Sequence, residues 1–193
     1  MSRQTAIESP SGGRTSGTPR GENVLVLAAS MDPAADEACG RLVGDADGLL
    51  VVSLTQDPDD RLDTIAMHTG RPERVAAVSC DATRGPAAST AADPTTDPRA
   101  ATVSDPGDLT GLGIHVERLL SGFDHETDVT VCVHSLTTLL QYADPRAVFQ
   151  LCHAMTRTVT DHGASAHFHL NPTTVDDRTL RTMRSLFDRT VEA

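Results

Sequence analysis

The sequence predicts an α/β protein with a doubly wound, mostly parallel sheet and helices on both faces. Two observations support this prediction. Short and continuously apolar runs recur along the chain, as is typical of strands buried on both faces of a parallel sheet. Most of these runs are followed by a segment that begins with aspartate and then shows helical spacing of apolar residues. Strands that alternate with helices in this way form βαβ units.

The first half of the fold is predicted from two such units in direct succession. The run at 23–30 (NVLVLAAS) predicts a first buried strand. The segment at 32–43 predicts a helix, because it begins with aspartate as N-cap and proline at the first helical position. The run at 49–54 (LLVVSL) predicts a second strand, and the Asp-Pro pair at 57–58 begins a second helix in the same way.

The middle of the chain predicts two further strands separated by a long loop. The run at 74–79 (RVAAVS) predicts the third strand. Residues 81–100 are rich in alanine, threonine, proline and aspartate without periodicity, so we expect a flexible loop there. Residues 101–104 predict a short fourth strand. The segment at 105–120 then predicts a helix, because its leucines and valine form one apolar stripe.

The last third of the chain completes the predicted sheet. The run at 129–133 (VTVCV) predicts the fifth strand, and a helix is expected from about residue 144, again with proline next. Residues 164–170 predict the sixth strand, and 175–187 a final helix. Residues 1–21 contain almost no apolar side chains, so we expect a disordered lead-in before one domain at 22–193.

The composition excludes several function classes. The 16 basic residues are all arginine, against 27 acidic residues, and the formal net charge is −11. This charge argues against nucleic-acid binding, which requires basic side chains to neutralise phosphates. The absence of lysine excludes a Schiff base or a P-loop lysine. An Asp-rich and lysine-free composition is typical of a salt-loving archaeon, whose surface carboxylates are screened in a potassium-rich cytosol.

The cysteine pattern and the hydropathy indicate an intracellular location. The four cysteines, at 39, 80, 132 and 152, show no CxxC spacing, so neither a zinc knuckle nor a disulfide framework is indicated. We interpret them as small buried apolar residues. No run approaches the ~20 apolar residues of a membrane span, and no signal peptide is recognisable. We therefore expect a cytoplasmic protein that does not contact a membrane.

The order of several segments resembles that of the RecA- and KaiC-like ATPases, and more closely that of haloarchaeal proteins related to the KaiC and GvpD ATPases. Residues 129–140 (VTVCVHSLTTLL) resemble the Walker B strand and the Asp-Ser-Leu that follows it in that family. The segment at 108–114 resembles the helix before Walker B, and those at 144–149 and 180–188 resemble the segments after it. Ser53-Leu-Thr lies where the family's second strand ends. The resemblance covers about residues 22–193 and implies a P-loop-type core.

The same comparison predicts that catalysis has been lost. A Walker A loop needs glycines and a lysine around the phosphates, whereas residues 28–37 (AASMDPAADE) contain neither. His134 occupies the position of the Walker B aspartate that would hold Mg²⁺. We therefore expect a pseudo-ATPase without a cofactor. The degenerate nucleotide cleft is expected to be formed by Ser30, Asp32, Asp36, Ser53, His134 and Ser135.

Three histidines leave a metal site open as an alternative. His167 and His169 point to one face of the sixth strand, because side chains alternate along a strand. The resemblance places His134 beside His169 at the edge of the sheet. Imidazole nitrogens bind zinc and related metals, with Asp32, Ser135 or Asp176 as possible further ligands. The other interpretation is that the histidines fill the vacated pocket.

Two functional hypotheses follow from the sequence. The first is a non-catalytic RecA/KaiC-like domain that acts as a regulatory module through a protein partner or through self-association. The second is a binder of a small molecule or nucleotide in the old cleft, or a metal-dependent site built from His134, His167 and His169.

Overall fold

The computed structural model describes residues 17–30, 32–80 and 99–193. Within these residues, seven strands form one sheet in which every neighbouring pair is parallel, in the order β4-β3-β2-β5-β6-β1-β7. The predicted fold class, a doubly wound parallel α/β sheet, is confirmed. The strands are β1 (Asn23–Leu27), β2 (Gly48–Ser53), β3 (Arg74–Cys80), β4 (Ala100–Val103), β5 (Val129–His134), β6 (Ser165–Leu170) and β7 (Arg189–Glu192).

Six α-helices connect the strands within the described residues, and most begin with an aspartate cap. Asp32, Asp57, Asp108, Asp144 and Asp176 each accept a hydrogen bond from a backbone N–H of the first turn. Such caps satisfy N–H groups that a helix leaves unpaired. The helices are α1 (Pro33–Val43), α2 (Pro58–Thr69), α3 (Leu109–Leu120), α4 (Leu136–Tyr142), α5 (Pro145–Asp161) and α6 (Asp177–Arg184), with a short 3-10 helix at Pro172–Thr174.

The sheet is covered on both faces, which explains its continuous apolar runs. Leu49 and Val51 of β2 pack with α1 and α2 on one face. Leu50 and Val52 pack in the larger core, which includes buried side chains of α3 and α5, on the other. Because neither face of β2 meets water, alternation of polar and apolar residues is absent from its sequence.

Two elements were missed by the sequence analysis. β7 pairs with β1 at the edge of the sheet, and its residues are half-buried or exposed. Its sequence, RTVE, therefore lacks the apolar run that marked the other strands. α4 follows β5 directly, where no separate helix was predicted. α6 covers residues 177–184 and is shorter than the helix predicted over 175–187.

The predicted lead-in and loop are described only in part. Residues 1–16 and 81–98 lie outside the described residues. At the end of the lead-in, Thr18 is buried and its hydroxyl donates to the carbonyl of Leu42 at 3.0 Å, so this residue packs against the domain. At the end of the predicted loop, Ala100 already belongs to β4. Among the described residues, none of the helices combines the length and apolarity required to cross a bilayer.

Candidate functional site

A polar cleft of about 590 Å³ lies beyond the carboxyl ends of the four central strands, β2, β5, β6 and β1. Its walls come from the segments that follow these strands and from the first two turns of α1, α2 and α4. Parallel α/β sheets bind ligands in this position. The volume lies within the range of small-molecule pockets, roughly 300–1,000 Å³.

Most of the residues predicted for the cleft are present in its walls. Ser53 differs, because it is fully buried at the end of β2 and its hydroxyl donates to the carbonyl oxygen of Gln56 at 2.8 Å. It therefore supports the turn after β2 and does not face the cleft. The predicted residues that line the cleft are Ser30, Asp32, Asp36, His134 and Ser135.

The turn between β1 and α1 is closed by the chain's own side chains. The Asp32 carboxylate accepts a hydrogen bond from the backbone N–H of Ala34 at 3.0 Å. Across the cleft, the side-chain amide of Asn171 donates to Ser30 Oγ at 3.0 Å. A helix N-terminus attracts anions through the N–H groups of its first turn. In α1, the Asp32 carboxylate of the protein already accepts from one of these N–H groups.

Arg61 is a charged residue in the cleft wall that the sequence analysis did not single out. Its side chain is only 3% exposed, and Nη1 donates to Oδ1 of Asp36 at 2.5 Å. Its Nε and Nη2 are buried and have no hydrogen-bond partner among the described residues. Coulombic interactions with Cys132 and Cys39, together with a hydrogen bond to Asp36, outweigh burial and raise its pKa. The guanidinium therefore stays charged beneath the cleft.

The three histidines lie together, as the resemblance implied for His134 and His169. The ring centroids of His134 and His169 are 5.4 Å apart, and those of His167 and His169 are 5.3 Å apart, both in edge-on arrangements. His167 and His169 are buried and His134 is half-buried. Nδ1 of His134 and of His167, and Nε2 of His169, have no hydrogen-bond partner among the described residues.

Two cysteines extend the histidine group deeper into the protein. Cys39 Sγ lies 3.0 Å from Nε2 of His167 and 3.7 Å from Sγ of Cys132. One ligand atom from each of Cys39, Cys132, His167 and His169 lies within 4.8 Å of the others, and all four residues are buried. We call these four residues the Cys/His cluster. His134 borders the cluster through His169 but is not one of the four.

The burial of the cysteines was predicted, but their polar neighbours were not. Cys132 of β5 is directly paired with His167 of β6 in the sheet register. Cys39 approaches from α1, on the same face of the sheet as Cys132. A sequence signal existed, since the side chains of Cys132 and His134 in β5 and of His167 and His169 in β6 alternate with period two. Asp176, named as a possible further ligand, caps α6 and lines a different cavity.

The ionisable groups of this region have displaced pKa values. Burial lowers the pKa of His134 to about 4, with smaller contributions from the charges of Arg61 and His169. Burial also lowers the pKa of His169 and raises that of Cys39. The hydrogen bond with Cys39 lowers the pKa of Cys132, and Coulombic interactions with His167 and Arg61 act in the same direction. The neutral forms of His134 and His169 and the thiolate form of Cys132 are therefore favoured.

Comparison with known proteins identifies a family. A model described as a family of unknown function, DUF7504, matches residues 21–193. The chain belongs to the DUF7504 family. No curated protein matches this DUF7504 chain. Among solved structures, a protein from Pyrococcus horikoshii OT3 studied under the project designation PH0250 is similar in fold, with a TM-score of 0.58 and 12% sequence identity. The match covers 90% of the DUF7504 chain and 82% of the Pyrococcus protein, and it supports the α/β fold alone.

Proposed function

We propose that this DUF7504 protein is a non-catalytic relative of the RecA- and KaiC-like ATPases that acts as a regulatory module by binding a protein partner. The observation that carries the proposal is the position of Asp32 and Asp36 at the entrance of α1. Asp32 caps the helix, and Asp36 pairs with Arg61, which is the one cation lining the described cleft. The anion site of such a fold is thus filled by carboxylates of the chain itself.

Electrostatics disfavour a nucleoside triphosphate at this position. The helix N-terminus contributes about 0.3–1 kcal/mol of attraction for an anion. Two like charges 4 Å apart repel by about 1 kcal/mol in water and about 4 kcal/mol near a protein surface. Arg61 pairs with Asp36 and offsets its charge, so the repulsion comes mainly from Asp32. Asp32 lines the cleft and also caps the helix, so both its charge and its hydrogen bond work against an anion at this N-terminus.

The neutral imidazole of His134 argues against phosphoryl transfer in the cleft. With its pKa lowered to about 4, the imidazole is neutral at neutral pH. Mg²⁺ prefers oxygen ligands, and carboxylates above all, so a neutral imidazole is a poor substitute for aspartate. What supports a binding role is that the fold and a cleft of about 590 Å³ are present while these catalytic groups are replaced. A protein partner or a second copy of the chain in a salt-rich cytoplasm is part of this proposal.

A thermal-shift assay in molar KCl tests the loss of nucleotide binding. We expect the Tm to be unchanged by Mg-ATP or Mg-ADP, and no phosphate to be released. A ligand at 100 times its Kd adds about 2.7 kcal/mol, which is about 5–10 °C for a domain of this size. A saturable shift of that size with ATP would contradict the proposal.

A reconstitution assay tests the protein partner. Tag-free protein is purified in molar KCl from cells of the source organism, and proteins that co-purify in stoichiometric amounts are identified by mass spectrometry. We expect a complex that re-forms from its two isolated components, or a defined oligomer of this chain. A monomer that re-forms no complex with any co-purifying protein would contradict the interaction role.

A second candidate is a small neutral molecule in the cleft. The observation that favours it is His134, a residue of the cleft wall whose buried Nδ1 has no hydrogen-bond partner among the described residues. A thermal-shift screen with uncharged metabolites tests this candidate, with His134→Gln as the control variant. A shift that is lost in the variant would favour the small-molecule role over a purely protein-binding one.

A further inference from the structure

We propose that Cys39, Cys132, His167 and His169 form a closed, four-ligand zinc site in the interior, directly beneath the cleft. The four side chains are buried and their ligand atoms lie within 4.8 Å of one another. They come from α1, β5 and β6, so the site joins one helix to two central strands of the sheet. The proposal does not depend on the proposed function.

Two ligand–ligand distances in the cluster can be compared with those that a tetrahedral zinc ion requires. Zn–S bonds of about 2.3 Å and Zn–N bonds of about 2.0–2.1 Å give tetrahedral edges of ~3.8 Å between two sulfurs and ~3.6 Å between sulfur and nitrogen. Sγ of Cys39 and Sγ of Cys132 are 3.7 Å apart. Sγ of Cys39 and Nε2 of His167 are 3.0 Å apart, so they must separate by about 0.6 Å on binding. A rotation of the two side chains supplies such a change.

The ligand set selects the ion and the kind of site. Two thiolates and two imidazoles favour zinc over magnesium or calcium, which prefer oxygen ligands. Four protein ligands leave no position open for water or substrate, which is typical of structural zinc sites. A zinc ion here would therefore stabilise the contact of α1 with β5 and β6, and would not take part in chemistry in the cleft.

The charges of the interior balance when zinc is bound. Zn²⁺ with two thiolates and two neutral imidazoles has no net charge, and Arg61 is paired with Asp36. Burying an unbalanced charge would be costly. Nε and Nη2 of Arg61 have no hydrogen-bond partner among the described residues. Arg61 interacts electrostatically with Cys132 and Cys39, so these N–H groups are available to donate to the ligand sulfurs, as groups around a metal site commonly do.

The experiment described below also detects two other states of the cluster, neither of which contains zinc. In the first, the thiols and imidazoles bind only each other through hydrogen bonds. In the second, Cys39 and Cys132 lose two protons and two electrons to an oxidant and form a disulfide. That bond requires the sulfurs to approach from 3.7 Å to about 2.05 Å.

The experiment uses tag-free, full-length protein kept reduced in molar KCl. Metal-free protein is titrated with ZnCl₂, bound zinc is measured by mass spectrometry of the metal, and proton release is followed with a pH indicator. Co²⁺ is added in a parallel titration to detect tetrahedral coordination and thiolate-to-cobalt charge transfer. The variants are Cys39→Ala and Cys132→Ala, with Cys152→Ala as the matched control, because Cys152 is buried in the other core.

We expect one zinc ion per chain, a higher Tm on binding, release of protons from the thiols, and a cobalt spectrum with thiolate character. Cys39→Ala and Cys132→Ala are expected to weaken zinc binding by at least about 100-fold. This exceeds the 10–100-fold loss of affinity that follows mutation of a residue hydrogen-bonded to a metal ligand. Cys152→Ala is expected to bind as the wild type does. If the cluster variants do not fold, the wild-type titration and the cobalt spectrum decide alone.

A variant of His134 separates this site from a histidine-only site in the cleft. We expect His134→Gln to retain zinc, since His134 is outside the cluster. Loss of zinc in this variant with retention in the cysteine variants would overturn the proposal. So would the absence of stoichiometric zinc in titrated wild-type protein, or a mass two hydrogens lower that shows a disulfide under reducing conditions.

Discussion

Nη1 of Arg61 in α2 donates to Oδ1 of Asp36 in α1 at 2.5 Å, and the two partners differ greatly in their exposure. The Arg61 side chain is 3% exposed, whereas that of Asp36 is 34% exposed. The pair joins the two helices that cover one face of the sheet, between the cleft and the Cys/His cluster. The desolvation cost of the pair therefore falls mainly on Arg61, because only the positive charge is fully removed from water.

Asp36→Asn is expected to destabilise the protein more than Arg61→Met does. The Asn variant leaves a buried guanidinium without its carboxylate, whereas the Met variant leaves a carboxylate that water can reach. Breaking a fully buried pair costs about 3–5 kcal/mol. The partial exposure of Asp36 reduces this to about 1–3 kcal/mol. Chemical denaturation in constant molar salt measures both free energies of unfolding.

The double variant provides the control for this pair. Without either charge, the loss in unfolding free energy should be smaller than the sum of the two single losses, since contacting residues couple. A larger loss for Arg61→Met than for Asp36→Asn would contradict the assignment of the buried charge.

Gly40→Ala is expected to destabilise the contact between α1 and α2. A Cβ at Gly40 would overlap Cβ of His68, because the two atoms would be closer than non-bonded carbon atoms can approach. Alanine improves helix propensity by about 1 kcal/mol, but overpacking costs about 1–3 kcal/mol. We expect a lower Tm, measured by calorimetry, and weaker zinc binding, because Cys39 is the preceding residue.

Gly113→Ala in α3 is the matched control. There the added Cβ would meet Cδ1 of Leu151 at 3.5 Å, an ordinary contact. The higher helix propensity of alanine should therefore outweigh any packing cost and raise the Tm. If both alanine variants changed stability in the same direction, the close approach of α1 and α2 would not be the cause.

The stability of the protein is expected to fall at alkaline pH because of Cys152. Burial raises the pKa of this thiol to about 12, above the 9.0 of a free thiol. The thiol contributes its full stabilisation below pH 9, where both states are protonated. Between pH 9 and pH 12 the unfolded state loses its proton first, so stability falls by up to about 1.4 kcal/mol per pH unit.

Comparison with Cys152→Ala isolates this effect from other titrations. The difference in unfolding free energy between wild type and variant should be constant from pH 7 to about 8.5 and then shrink as the pH rises. A difference that stays constant to pH 11 would contradict the raised pKa.

The Tm is expected to rise with KCl concentration. The net charge of −11 produces repulsion among surface carboxylates. Screening shortens the Debye length from about 10 Å at 0.1 M to about 3 Å at 1 M salt. Thermal melts at increasing KCl should show a steep rise that levels off near molar salt. A Tm that is independent of KCl would contradict the halophilic interpretation of the composition.

The strand and helix pattern could be predicted because it depends on local chemistry. Asp-Pro pairs such as Asp32-Pro33 begin helices through their own geometry, and buried strands such as β5 are continuously apolar. β7 was missed because a half-exposed edge strand needs no apolar run. The proximity of His134 and His169 was expected only through the resemblance to a known fold, which supplied the neighbouring strands.

By itself, the sequence determined the α/β architecture, the acidic surface and the absence of a lysine-containing phosphate loop. Only the tertiary structure decided that Cys132 faces His167, that Cys39 reaches both from α1, and that Arg61 lies beneath the cleft. The physical reason is that alternation along a strand fixes which face a side chain occupies. The register between strands and the approach of a helix depend on packing across the whole domain.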